Sequence, residues 1–317
     1  MNTNTPTDIF PDGVRVDVGG FGLQAYEMGD HPGGPTVVFE TGSGGVAAHW
    51  LRVQTRVAHE AKTISYDRSG LGRSDRSSAE RTLETFADEL ERLLRGIDAL
   101  PPFVLVGHSM GGLLIRAFAA RRPDDVAGLV LVDATHEQRA ALFALQSRRD
   151  RITYAFRRSW LLALWRMQEA LYPIRPVREW VIDRHKRKRP PDFAPMEWEG
   201  LIDATAAGCP FPAMRAEFEW VERLGDEPLP VPDDFGDLPL VTLTAGDGIG
   251  ANEPMEEHHR NNQRALAAMS SVGVHEIVHG ANHGSIIHNP DAVDQVATAI
   301  LRIVRTVREG TAPYVED

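Results

Sequence analysis

Ser109 stands in the run Val104-Leu-Val-Gly-His-Ser-Met-Gly-Gly112, and its surroundings suit a nucleophile. Phe103 to Val106 are apolar and read as a buried strand. Gly107-x-Ser109-x-Gly111 reads as a tight corner, and Gly112 to Arg122 as a helix. A serine on a strand-to-helix corner has strained backbone geometry and an exposed hydroxyl. Glycines flank it because side chains there would clash with the neighbouring strand and helix. The N-terminus of the following helix offers backbone N–H groups to a developing negative charge. The chemistry these parts suit is acyl transfer. It needs a nucleophile, a base, an orienting acid and two oxyanion donors.

The base must lie far along the chain and return to the same sheet edge. His283 meets that demand. It sits in the short loop Gly280-Ala-Asn-His-Gly284, after the strand His275 to Val278 and before the last helix. The chain has 12 histidines, and His279 and His288 are close rivals by position. Metal-assisted hydrolysis has no comparable support. His258 and His259 adjoin on a predicted helix and so point different ways, and no pair of histidines four apart stands on a helix face. The expected metal and cofactor content is none.

The elements that must position these residues alternate along the chain. Val14 to Val18 and Leu23 to Met28 read as a hairpin across Gly19 to Gly22. Thr36 to Glu40 and Thr63 to Tyr66 are short buried strands. Thr82 to Ile97 reads as a helix capped by Thr82. Val126 to Val132, Leu238 to Thr244 and Val274 to Val278 complete the strands; Ala251 to Ser271 and Asp291 to Arg308 read as helices. This order predicts an α/β fold with a mostly parallel central sheet covered by helices on both faces. Residues 137–237 break the rhythm, being rich in Arg, Trp and Pro with no convincing buried strand. The expected organisation is a core from 1–136 and 238–317, interrupted by a helical cap or lid over the ligand crevice.

Four motifs give this chain a resemblance to the α/β-hydrolase superfamily, in its capped, esterase-like branch. They are Glu40-Thr-Gly-Ser-Gly44, Asp67-Arg-Ser-Gly-Leu-Gly-Arg-Ser74, Gly107-His-Ser-Met-Gly111, and the His283 loop with Pro290 seven residues on. The resemblance covers nearly all of 14–308 and is specific to the fold, not to a substrate. It implies a cofactor-independent serine hydrolase acting on a carboxylic ester or lactone. The same parts also serve amide and C–C bond cleavage or acyl transfer, and a noncatalytic ligand-binding member is the alternative of a different class. It leaves two places for the acid. In much of the superfamily the acid follows the strand before the last, three residues past a glycine. Here that place holds Ile249, and Asp247 lies two residues early. Other members carry it one strand earlier, where this chain has Asp133, 24 residues after Ser109 as in those members, so Asp133 is the expected acid and Asp247 the alternative. The resemblance assigns the oxyanion donors to the N–H of Met110 and of Ser43, with Thr41-Gly42 standing where the family has His-Gly. It makes Asp67 to Ser74 a structural brace.

Composition bounds the partners. The chain of 317 residues carries a net charge of −11, which argues against nucleic acid. Cys209 is the lone cysteine, so no intrachain disulfide forms, which fits a reducing compartment. Met1 to Asp12 are polar and lack the apolar core of a secretion signal. The expected location is the cytoplasm, and the expected partner is a small ester or lactone bearing an apolar group. His108, Trp50, Trp160 and Trp165 are the candidate substrate contacts. One segment departs from the acidic average: residues 148–189 hold 13 Lys/Arg against four Asp/Glu. Within it, Ser159 to Leu171 is an apolar helix with basic flanks. It reads as packing over the pocket, with contact to a lipid surface as the second reading.

Overall fold

The computed structural model describes residues 12–137, 145–224 and 231–310. Residues 1–11 of the polar N-terminal stretch, and residues 138–144 and 225–230 of the expected insertion, lie outside the described residues.

The chain begins with β1 (Val14–Asp17), β2 (Gly22–Met28) and β3 (Thr36–Glu40), then α1 (Leu51–Val57) and β4 (Lys62–Asp67). There follow α2 (Leu83–Gly96), β5 (Phe103–His108), α3 (Met110–Arg121) and β6 (Val126–Val132). Four helices come next: α4 (Arg148–Leu171), α5 (Arg175–Lys186), α6 (Pro195–Thr205) and α7 (Phe211–Glu222). The chain closes with β7 (Leu240–Ala245), α8 (Glu253–Ala267), β8 (Val274–Val278) and α9 (Pro290–Glu309). The sheet has eight strands in the order β1-β2-β4-β3-β5-β6-β7-β8. The β1–β2 hairpin and the β2–β4 pair are antiparallel. Every other pair is parallel.

Both sheet faces are dry, which is why the central strands read as unbroken apolar runs. Successive side chains of a strand point to opposite faces. Val37, Phe39, Val104, Val106, Val130 and Val132 therefore pack with Val53 of α1 and Ile300, Ile303 and Val304 of α9. Val38, Leu105, Leu129 and Leu131 pack on the other face with Leu90, Ile115 and Leu266, from α2, α3 and α8. The Thr82 cap forms as expected: its hydroxyl accepts from the Thr85 N–H at 3.2 Å, and the Thr85 hydroxyl accepts from the Thr82 N–H at 2.9 Å. Helix α3 opens earlier than expected, at Met110, immediately after the serine.

Helices α4 to α7 occupy the stretch between β6 and β7. Helix α7 packs on α2 and α3: Trp220 and Val221 join Phe86, Met110, Leu113 and Leu114 in one buried cluster. Leu201 of α6 packs with Val46, Leu71 and Phe193 in another. Among the described residues, no helix is long and apolar enough to cross a membrane.

Candidate active site

Strand β5 delivers Ser109 at its carboxyl end, between Val132 and the first turn of α3. The serine holds φ 54° and ψ −121°, outside the allowed regions for L-residues, so the surrounding structure must enforce it. It does so with the backbone. The Ser109 N–H donates to the Val132 carbonyl at 3.1 Å, and the Ser109 carbonyl accepts from Thr135 at 2.8 Å and Gly112 at 3.1 Å. The glycine requirement is visible at Gly107, where a Cβ would lie 2.5 Å from the Gly111 carbonyl oxygen.

Three side chains form a hydrogen-bonded chain. The Ser109 hydroxyl lies 3.1 Å from His283 Nε2, and His283 Nδ1 lies 2.6 Å from Asp133 Oδ2. With the carboxylate as acceptor, Nδ1 carries the proton and Nε2 is left to accept from the serine. Asp133 is fully buried at the end of β6 and has φ 44°. Its other oxygen accepts from the Ala245 N–H at 3.1 Å and from His259 Nε2 at 2.9 Å. Burial alone would raise its pKa. The hydrogen bonds and positive partial charge of His259 and His283 outweigh that and hold it well below the usual carboxylate range.

The rivals are elsewhere. Asp247 is exposed, and its N–H donates to the Ala281 carbonyl at 2.9 Å. His279 is exposed on the far side of the loop, where its backbone pairs with Gln295. His288 lines the cavity but packs, with its ring tilted, against His49 and Phe193. His259 escaped sequence reasoning, which weighed it only as a metal ligand. The available signal was periodicity: His259, Asn262, Gln263 and Leu266 are the buried residues of one face of α8.

The loop after β3 passes directly beside the serine. A Cβ added to Gly42 would lie 3.2 Å from Ser109 Cβ. Arg68 pins this loop by donating to the Thr41 carbonyl at 2.8 Å and the Gly42 carbonyl at 2.7 Å. The same guanidinium bonds Glu40 at 2.6 Å and Glu217 of α7 at 2.7 Å, and Glu217 accepts from the Gly44 N–H at 2.7 Å. Among the described residues, the N–H groups of Ser43 and Met110 have no acceptor. Burial works against the Arg68 charge, but the two carboxylates outweigh it and raise its pKa further. Arg68→Ala leaves both carboxylates buried without their cation. Breaking a buried pair in this way costs about 3–5 kcal/mol. The expected result is a lower urea midpoint with an unchanged slope, measured by equilibrium unfolding.

A cavity of about 400 Å³ opens over Ser109, walled by the 41–45 loop, His108, Ile287 and, from α7, Phe218 and Val221. Of the expected substrate contacts, His108 is on this wall. Its Nε2 donates to the His283 carbonyl at 3.0 Å. Trp165 stands one layer back, edge-on to Phe218 at 5.6 Å. Trp50 and Trp160 are corrections. Trp50 is wholly buried in the core behind His108, 5.0 Å from the Phe39 ring, because its indole is the largest apolar group facing that sheet layer. Trp160 is 61% exposed on the outer side of α4. Among the described residues no group of three or more ligating side chains converges to hold a metal.

Burial, together with the neighbouring His283, pushes the His108 pKa down to about 3. His108 is therefore neutral in the folded state while the unfolded chain takes up a proton near its ordinary value of about 6.5. The unfolded state binds more protons between these values, so stability falls as pH drops below about 6.5. The contribution is about 2 kcal/mol by pH 5, at 1.36 kcal/mol per pH unit. Asp67, raised to about 6 by burial, acts in the opposite sense over part of this range. Comparing His108→Asn with the parent isolates the histidine: its melting temperature is expected to fall less steeply from pH 6.5 to 5.

A family model described as the alpha/beta hydrolase fold matches residues 35–199, just over half of the chain. Among curated proteins, the uncharacterized protein YqjL of Bacillus subtilis is 37% identical over 100 residues, 32% of this chain and 40% of that protein. An AB hydrolase superfamily protein of Gibberella zeae is 34% identical over 111 residues, 34% of each chain. The chain thus matches well under half the length of these relatives. Among solved structures, the enol-lactonase from Burkholderia xenovorans LB400 superposes with a TM-score of 0.59 at 17% identity, covering 92% of this chain and 99% of that one. An esterase from Thermogutta terrifontis superposes with a TM-score of 0.60 at 20% identity, covering 94% and 100%.

Proposed function

The chain belongs to the α/β-hydrolase family, and from that premise we propose that it is a serine hydrolase cleaving a carboxylic ester or lactone through an acyl-enzyme. The observation that carries this reading is the Ser109–His283–Asp133 hydrogen-bonded chain at the floor of a cavity. Ser109 Oγ attacks the carbonyl carbon while His283 Nε2 takes its proton. Asp133 keeps that imidazole in the required tautomer and stabilises its cation. The Ser43 and Met110 N–H groups receive the tetrahedral oxyanion, each donor contributing about 2.7–4 kcal/mol to the barrier. His283 then protonates the leaving alcohol, and the acyl-enzyme forms. A water, deprotonated by His283, attacks the acyl carbon; the bond to Ser109 Oγ breaks, the acid leaves, and His283 returns the proton to the serine.

Phe218, Val221 and Ile287 make the wall around the acyl group apolar, which favours an apolar substrate. Two of them come from α7, so residues 137–237 act in this reading as a cap that shapes the pocket. The lone Cys209 and the absence of a membrane-crossing helix among the described residues suit a cytoplasmic enzyme.

The test is hydrolysis of p-nitrophenyl esters from acetate to laurate, beside a set of lactones. The chain-length optimum reports how much of the cavity the acyl group fills. Inactivity on every ester and lactone, with no phosphonate labelling of Ser109, would overturn the reading in favour of a noncatalytic binding member. Labelling without ester or lactone turnover would move the substrate to an amide or a C–C bond.

A further inference from the structure

Helix α4 has two apolar faces, and only one is used by the fold. Tyr154, Arg158, Leu162, Trp165 and Glu169 lie on the side that meets α7: Trp165 meets Phe218 edge-on, and Tyr154 and Arg158 bond Glu222. At about 100° per residue, Ile152, Phe156, Trp160, Met167 and Leu171 fall on the opposite side. These five are 36–73% exposed. They are four residues apart except between Trp160 and Met167, where exposed Ala163 lies on the same face, so over five turns they form a stripe rather than scattered surface residues.

The charge around the stripe is mainly positive; Asp150, which accepts from the Ser147 hydroxyl at 2.7 Å, is the one carboxylate of α4 on its flanks. Arg148 and Arg166 border it on one flank and Arg157 on the other. Among the described residues, none of the three forms an ion pair. The two carboxylates near the C-terminal half are spent elsewhere, Glu169 on Arg215 and Glu179 on Arg175. On α5, Trp180 is likewise exposed, with the Arg184 guanidinium 5.5 Å from its ring. The remainder of the chain is strongly acidic, since the whole carries −11 despite this segment.

We propose that the outer face of α4 docks on an anionic phospholipid surface. An apolar stripe bearing tryptophan, edged by arginine, suits a helix lying in the plane of the headgroups. The acidic remainder of the molecule is repelled by the same surface, so docking has one orientation. A second copy of the chain fits less well. Two such stripes brought together would align arginine with arginine, where paired helices need opposite charges beside the apolar seam. The inference does not depend on the catalytic reading, because its readout is membrane binding.

The experiment is flotation of the full chain with vesicles of phosphatidylcholine alone or mixed equally with phosphatidylglycerol. The expected result is at least about tenfold more bound protein on the anionic vesicles, lost at about 0.5 M NaCl. Phe156→Ser/Met167→Ser and Arg157→Glu/Arg166→Glu are each expected to lower binding at least about tenfold. Their side chains are exposed, and an unchanged melting temperature identifies folded variants. Wild-type protein that stays off anionic vesicles at low salt overturns the proposal, as do folded variants that float like wild type. A solution dimer that Phe156→Ser/Met167→Ser converts to monomer also overturns it and assigns the stripe to a second copy.

Discussion

Ser109→Ala is expected to lower kcat for p-nitrophenyl ester hydrolysis by at least about 10⁴-fold, with little change in stability. The variant removes the only atom at the corner that can form the acyl bond, and leaves the donors of the 41–45 loop and α3 in place. A residue of activity above water therefore persists from the oxyanion site and substrate binding. The serine is held by backbone bonds to Val132, Gly112 and Thr135, none of which uses its hydroxyl. Alanine must still accept the φ of 54°, a strain serine already bears. Parallel thermal melts and single-turnover kinetics separate loss of chemistry from loss of fold. Activity retained in the folded variant would remove Ser109 from the mechanism.

Asp133→Asn is expected to cost about 10⁴-fold in kcat for a different reason. The Asp133 carboxylate has two sets of partners. One oxygen accepts from the Ala245 N–H and His259 Nε2, and the other from His283 Nδ1. An asparagine can keep its carbonyl oxygen toward Ala245 and His259. Its NH₂ then faces His283 Nδ1, which must become an acceptor. The proton moves to Nε2, and the imidazole presents a donor to Ser109 where catalysis needs an acceptor. Geometry is preserved while the tautomer is wrong. Asp247→Asn, on an exposed carboxylate away from His283, is expected to leave kcat within about twofold. Equal losses in the two variants, or a larger loss at Asp247, would overturn the assignment of the acid. A pH-rate profile adds a readout that structural damage would not mimic, since the tautomer fault persists across the range.

Much of the site was legible from local pattern. The Gly107-x-Ser109-x-Gly111 corner announces itself because its glycines answer to close backbone approach, a requirement set within five residues and two neighbouring elements. His283 was readable by position, since a loop after the final strand returns to the sheet edge where β5 ends. The acid was readable only as a preference, Asp133 over Asp247, from the spacing that resembles variant family members. Asp133 and Asp247 both follow parallel strands, β6 and β7, and end at the same edge of the sheet. Which carboxylate turns toward the imidazole depends on the φ of 44° at Asp133 and on two donors from β7 and α8. Those donors are more than 100 residues away in sequence.

The tryptophans show the same division. Trp50 and Trp160 look alike in a sequence as large apolar groups near expected site elements. One is enclosed by the core and the other faces outward on α4. Helical periodicity could separate the two faces of α4 but could not say which one α7 would cover.

The sequence by itself determined the order of strands and helices, the parallel sheet, the serine corner and the position of the histidine loop. These follow from periodicity, glycine sterics and capping, all interactions between residues close along the chain. The tertiary structure alone decided the second histidine on Asp133, the Arg68 clamp on the 41–45 loop, and the outward apolar face of α4. Each depends on packing between elements distant in sequence, where burial and hydrogen-bond satisfaction select among side chains that local pattern leaves equivalent.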